Sequence, residues 1–200
     1  VPQPDWHGDY RDFKKLGRPR LFFAISPGAM DSMVNRYTAN RRLRSDDAYT
    51  PGGRHGMRPD YPSIVYTKIL KQLYPDVPVV LGGIEASLRR LTHYDYWQDS
   101  LRRCILCDSG ADLIVYGMGE RPIVEICRQL EGGTPFDQLR SIPQTVYLCR
   151  EGDIPGGVGD DDIVLYSHEE CLQNKKAQAE NFRHIEEESN KMHAQRLIQT

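Results

Sequence analysis

Pro78-Val79-Val80-Leu81-Gly82-Gly83-Ile84-Glu85-Ala86-Ser87-Leu88-Arg89-Arg90-Leu91 is the stretch on which the reading of this chain turns. Its apolar start shows no polar alternation, the mark of a strand covered on both faces, as in a parallel sheet. Two glycines follow, where a backbone bends sharply or lets a neighbour come close. Leu88 and Leu91 then fall on one side of a short helical pattern, and Glu85 stands where the chain leaves the strand. In open α/β sheets, ligands bind beyond the carboxyl ends of the strands. Gly82, Gly83 and Glu85 are therefore expected on a functional rim. The alternative is a tight turn with a solvated glutamate.

On the amino-terminal side, Leu21-Phe22-Phe23-Ala24-Ile25-Ser26 repeats the buried-strand pattern, and Pro27-Gly28 ends it. Between the two strands, Tyr61–Tyr74 carries an apolar stripe of Ile64, Val65, Ile69, Leu70 and Leu73. Pro62 suits its first turn and Asp60 or Ser63 its cap. Strand, helix and strand in this order make half of a right-handed crossover. Residues 29–58 form a long, basic connection with Arg41, Arg42 and Arg44 close to Tyr37 and Tyr49. Connections of this length in a compact domain are functional or disordered. Arginines among aromatics suit phosphate or RNA contacts, and equally a solvated face. RNA is the alternative partner, with Arg89 and Arg90 added to the basic set.

On the carboxyl-terminal side, Thr92-His93-Tyr94-Asp95-Tyr96-Trp97 gathers a histidine, an aspartate and three aromatics. His93 and Asp95 suit acid and base roles, and Tyr94 a stacking role. The plainer reading is a partly buried aromatic cluster with His93 held by a carbonyl. Asp112–Tyr116 is a third buried strand, followed by Gly117-Met118-Gly119-Glu120 and a helix over Pro122–Leu130. Gly-x-Gly at such a turn aims backbone N–H groups at an anion. The dinucleotide fingerprint needs a third glycine where Pro122 stands, so a nicotinamide site is excluded. Gly117, Gly119 and Glu120 join the candidate rim. Thr145–Cys149 reads as a further strand, and Ile163–Tyr166 as a short strand or extended arm. Ser167 and Glu170 form a capping box that opens a charged helix running to Thr200.

A chain of 200 residues suits one domain with appendages. A net charge of −2 gives no bulk attraction to nucleic acid or to acidic membranes. No apolar run approaches the roughly 20 residues that cross a bilayer, so no membrane partner is expected. Five scattered cysteines favour thiols and a cytoplasmic setting over a disulfide framework. Cys104-Ile105-Leu106-Cys107 lacks the four ligands of a structural zinc site and reads as the core face of a helix. Starting at Val1 and ending in a helical pattern, the chain reads as a piece of a longer protein.

Gly82 to Arg90 followed by His93-Tyr94-Asp95-Tyr96-Trp97 resembles the YgiQ-type (UPF0313) family of radical S-adenosylmethionine (SAM) Fe–S oxidoreductases. Asp5-Trp6-His7, Met30-Asp31-Ser32-Met33-Val34-Asn35 and Tyr37-Thr38-Ala39 match that family too, so the likeness covers essentially the whole chain. The order of parts is similar to the cobalamin-binding-type domain that precedes the barrel in many radical SAM enzymes. The resemblance implies an α/β fold over residues 1–150: an open, mostly parallel, Rossmann-like sheet with flanking helices, lacking a first strand and helix. Residues 151–200 would be a linker and helical extension leading to a radical SAM barrel, the chain's own partner. The full-length protein would hold a [4Fe–4S] cluster on a Cys-x-x-x-Cys-x-x-Cys motif. SAM on its unique iron would be cleaved to a 5′-deoxyadenosyl radical. Cys104, Cys107, Cys127, Cys149 and Cys171 do not form that motif. No catalytic residue, metal ligand or bound cofactor is therefore expected within residues 1–200. Asp5 and His7 match part of the Asp-x-His-x-x-Gly cobalamin motif, but its glycine would fall at Tyr10, so the fold does not establish a corrinoid. The expected role is to present an unknown substrate or a cofactor to the barrel from the rim of Gly82, Gly83, Glu85, His93, Tyr94, Asp95, Gly117, Gly119 and Glu120.

Overall fold

The computed structural model describes residues 1–200. Its strands are β1 (Phe23–Ile25), β2 (Val79–Leu81), β3 (His93–Asp95), β4 (Ser100–Arg102), β5 (Leu113–Val115), β6 (Thr145–Val146), β7 (Ile163–Leu165) and β8 (Leu197–Gln199). Its α-helices are α1 (Arg11–Lys14), α2 (Ser32–Arg36), α3 (Pro62–Leu73), α4 (Gly83–Leu88), α5 (Ile105–Ser109), α6 (Glu120–Glu131), α7 (His168–Gln173) and α8 (Lys175–Ser189). The chain divides into two units, residues 1–90 with 105–148, and residues 91–104 with 149–200.

The first unit is an α/β domain around an open sheet in the order β1-β2-β5-β6. β1, β2 and β5 run parallel, with Phe23 opposite Val79 and Val80 opposite Leu113. The apolar runs read from the sequence become these strands because both of their faces are covered. Val80, Leu113 and Val115 pack with Ile126 of α6, Leu139 and Ile142. Pleating turns Val79 and Leu81 to the opposite face, where α3 packs against β1 and β2. Val79, Leu81 and Ile114 have no exposed surface. Full burial of each such side chain contributes about 1.5–3 kcal/mol.

Two local expectations are corrected. α3 is capped by neither Asp60 nor Ser63. Its N-cap is Tyr61, held at φ 51° with no side-chain cap, while Asp60 accepts the Tyr37 hydroxyl at 2.9 Å and pairs with Arg36. The strand expected over Thr145–Cys149 is confined to β6, which runs antiparallel with Ile114 opposite Val146.

The long connection after β1 is ordered by its own polar side chains. Asp31 caps α2 through the N–H groups of Met33 and Val34. Short antiparallel bridges join Tyr37 to Leu43 and Asp46 to Arg54.

In the second unit, β3 and β4 form an antiparallel hairpin, and α7 packs on β4. The Ser167–Glu170 capping box is present, with reciprocal bonds of 3.2 and 2.8 Å. The single helix expected from there to Thr200 is corrected. Asn174 breaks it and caps α8 by accepting from Lys176 N at 3.0 Å. α8 ends at Ser189, and Leu197–Gln199 pairs with β7 as a parallel strand. The adjacent apolar residues Leu197 and Ile198 satisfy a strand against Ile163 and Val164. Asn181, 1% exposed, fixes α8 to the end of β7 by bonding both the N–H and the C=O of Tyr166 at 2.9 Å. No helix of the structure is long and apolar enough to cross a membrane.

Candidate functional site

The carboxyl ends of β1, β2 and β5 meet at one rim of the first unit, and the glycine turns interlock there. Gly83 lies at φ +79°, and a Cβ on it would stand 2.6 Å from Ser26 Oγ and 3.1 Å from Gly28 O. Gly82 N donates to Ile25 O at 2.8 Å. Ser87 Oγ donates to Gly83 O at 2.8 Å and accepts from Gly117 N at 3.2 Å. A Cβ on Gly119 would meet Val115 Cγ1 at 3.0 Å. The close approach that these glycines permit is thus made by the protein's own chain. Glu120 opens α6 and is exposed. Ile84 and Leu88, one turn apart on α4, and Met118 present exposed apolar side chains on the same rim.

Beneath the rim lies a buried polar layer. Glu85 has no exposed surface, and its Oε1 accepts the Ser63 N–H at 3.3 Å. Arg89 and Asp31 form an ion pair with both side chains about nine-tenths buried. Arg58 donates to Pro27 O at 2.9 Å and stands 3.7 Å from Asp47, which also accepts from Asn35 at 2.7 Å. Burial pushes the Asp47 carboxyl up, but the bonds from Asn35 and Tyr49 N and the Arg58 charge outweigh it. Its pKa is held below the usual carboxylate value. Burial pushes the Tyr66 hydroxyl up to about 12, with the Arg58 charge opposing and those of Glu85 and Asp47 adding. Glu85 Oε2, Ser63 Oγ and Tyr66 Oη are buried without a hydrogen-bond partner.

The structure therefore brings Gly82, Gly83, Gly117, Gly119 and Glu120 to one rim and sets Glu85 below it. Asp31, Asp47, Arg58 and Tyr66 complete the layer, and the sequence reading passed over them. For Asp31, Asp47 and Arg58 the only signal was the clustering of polar residues in a long connection, and Tyr66 lies within α3. The arginines divide. Arg44 Nε bonds Val34 O and Tyr37 O, at 3.1 and 3.2 Å. Arg90 bonds Ser87 O and lies over the Tyr116 ring. With Arg89 buried and paired to Asp31, Arg41, Arg42 and Arg44 are the exposed arginines of the set.

His93, Tyr94 and Asp95 belong to the second unit. His93 Nδ1 is 3.0 Å from Leu91 O. Asp95, 5% exposed, accepts from Trp97 N and Gln98 N at 2.9 and 3.1 Å, shaping the hairpin turn. Tyr94 is exposed, and its hydroxyl donates to Asp99.

All five cysteines stand as thiols, and no group of three or more His, Cys, Asp or Glu side chains converges as a metal site. This donor set does not fit an iron–sulfur cluster. His7 is exposed and bonded to Asp5 at 3.2 Å, and the rim glycines are packed by protein atoms, so a corrinoid cradle is not present either.

A family model described as radical SAM N-terminal matches residues 1–200. A UPF0313 protein of Bacteroides thetaiotaomicron is 64% identical over 210 residues, covering 100% of this chain and 34% of the relative. A UPF0313 protein of Porphyromonas gingivalis is 65% identical over 199 residues, covering 100% and 31%. The UPF0313 protein YgiQ of Escherichia coli is 52% identical over 165 residues, covering 82% and 22%. The chain thus spans about a third or less of the relatives' length. No solved structure matches.

Proposed function

The chain belongs to the radical SAM N-terminal family, and from that premise we propose that it is the accessory domain of a radical SAM enzyme, presenting substrate or cofactor to a catalytic domain elsewhere in the longer protein. The observation that carries this reading is the family match along the whole chain, joined to a sheet whose three parallel strands end at one rim. Gly82, Gly83, Gly117 and Gly119 shape that rim, and Glu120, Ile84, Leu88 and Met118 supply its exposed polar and apolar contacts. Glu85 acts as a positioning residue from below. Tyr94 offers an exposed aromatic face for stacking, and His93 and Asp95 shape the hairpin that carries it.

The cluster and SAM belong to the rest of the protein on this reading, because the cysteines here do not converge. The domain's work is binding and orientation, not bond breaking.

The test uses the full-length protein, purified without oxygen. Ile84→Asp and Met118→Asp are compared with wild type for iron and sulfide content, reductive SAM cleavage, and substrate-dependent turnover. A presenting role lowers turnover and leaves cluster content and uncoupled SAM cleavage intact. Unchanged turnover, or loss of the cluster in step with turnover, overturns it.

A further inference from the structure

Glu85 is the one carboxylate of the buried layer with no cationic partner. It has no exposed surface. Its Oε1 takes the Ser63 N–H at 3.3 Å, and its Oε2 takes nothing. The guanidiniums of the layer are committed elsewhere. Arg89, one turn further along α4, pairs with Asp31 and reaches only the backbone oxygen of Glu85, at 3.4 Å. Arg58 donates to Pro27 O and faces Asp47 at 3.7 Å. Asp31 and Asp47 are thus matched, and the layer keeps one uncompensated negative charge, on Glu85.

A charge inside a protein is paired, binds a metal ion, or gives up its ionisation. Two further oxygens stand ready beside this one. Ser63 and Tyr66 lie three residues apart on α3, hence on one face. They are 0% and 7% exposed, and neither hydroxyl has a hydrogen-bond partner. Burial raises the Tyr66 hydroxyl, the Arg58 charge opposes, and the Glu85 charge adds to the rise, so carboxylate and phenol sense each other across the layer. Buried polar atoms in native proteins are nearly always satisfied, so three orphaned oxygens in one layer call for a common guest. Water would satisfy the hydroxyls and leave the charge unmatched. A donor set of oxygens, without nitrogen or sulfur, suits a hard cation. The N-terminus of α3 already offers Glu85 about half an elementary charge, so one more positive charge suffices and a divalent ion would overshoot.

We propose that Glu85 Oε2, Ser63 Oγ and Tyr66 Oη bind one monovalent metal cation, sodium or potassium, beneath the Gly82–Gly83 turn. The ion supplies the missing charge and locks the start of α4 to the start of α3. The site stands on the layer's own geometry and does not depend on the presenting role.

Hydrogen exchange on the full-length protein tests it, read over residues 61–70 and 82–90 in sodium, potassium and choline chloride at one ionic strength and one pH. Choline is too large to enter the layer. The expected result is exchange in both segments slowed roughly tenfold, relative to choline, at ten times the dissociation constant of the bound ion. The response saturates, and the ion acting at the lower concentration is the occupant. Glu85→Gln keeps the acceptor for Ser63 N and abolishes the salt response. Tyr66→Phe is the sharper variant. Without a guest it deletes only an orphaned hydroxyl and leaves any salt response as it was, whereas loss of a ligand raises the half-saturating concentration by roughly tenfold. Equal exchange in the three salts overturns the proposal, a proton then being the counter-charge of Glu85. So does a salt response that either variant leaves unchanged.

Discussion

Glu85 Oε1 lies 3.3 Å from the backbone nitrogen of Ser63, joining the first turn of α4 to the first turn of α3. α3 begins without a side-chain cap of its own. Its first N–H groups need acceptors, and a carboxylate at a helix N-terminus also complements the helix dipole. A residue that the sequence places on a ligand rim thereby becomes the tie between two helices. Glu85→Ala is expected to destabilise the protein by about 1.5–3 kcal/mol, the range for a hydrogen bond to a charged group. Glu85→Gln, which keeps an acceptor, loses less. Urea midpoints of the two variants decide it, and an Ala variant as stable as the Gln variant would contradict the tie.

Asp31 does two things at once, capping α2 and pairing with buried Arg89. Asp31→Asn keeps the capping oxygen and deletes the charge. It leaves Arg89 buried without its carboxylate, for which about 3–5 kcal/mol is expected. Adding Arg89→Met removes the stranded charge, so the double variant is expected to be more stable than the single one. Denaturant titration of the three proteins provides the cycle.

Gly83→Ala meets two separate penalties. The left-handed backbone at φ +79° disfavours any side chain by about 1–2 kcal/mol, and the new Cβ would stand 2.6 Å from Ser26 Oγ. Gly110→Ala, at φ +74° with nothing within 4 Å of the new Cβ, carries the backbone penalty alone. The first variant is expected to lose more stability than the second. Ser26→Ala in the Gly83→Ala background restores part of the difference. Equal thermal midpoints for the two glycine variants would remove the steric argument.

Asp162 contributes to the acid dependence of the second unit, beside Glu170, Glu180 and Glu188, whose carboxyls are also held low by their hydrogen bonds. The Arg196 guanidinium and the Gly159 N–H hold the Asp162 carboxyl at about 2, below the ordinary aspartate value of 3.8. A carboxyl depressed by folding adds stability that is fully present above the unfolded value and is lost as pH falls from 3.8 toward 2. Asp162→Asn is expected to flatten this part of the stability profile while leaving the profile above it parallel to wild type. Chemical denaturation across that interval measures it.

The parallel core was legible because β2 and β5 are continuous apolar runs followed by glycine, a pattern set by local chemistry. α3 was legible from its stripe and Pro62. Its N-terminus was not, since the acceptor that replaces a cap stands 22 residues away on Glu85. The tail misled for a related reason. Leu197 and Ile198 continue a thin helical stripe when taken alone, and only Ile163 and Val164, 34 residues earlier, make them a strand. Of the candidate rim, the glycines were placed by their turns. The buried residues Asp31, Asp47 and Arg58 depend on how the long connection folds back onto α3 and its Tyr66, which no local periodicity encodes.

The second unit joins residues 91–104 to residues 149–200, with part of the first unit encoded between them. During synthesis the hairpin leaves the ribosome well before α7, α8 and β8 exist. The first unit can close as soon as residue 148 emerges, whereas the second must wait for the last strand. Proteins made from the amino terminus fold domain by domain in the order in which segments appear. A stall or premature stop between residues 150 and 195 should therefore leave a folded sheet bearing an orphan hairpin, and that nascent form is the one a chaperone or protease would meet.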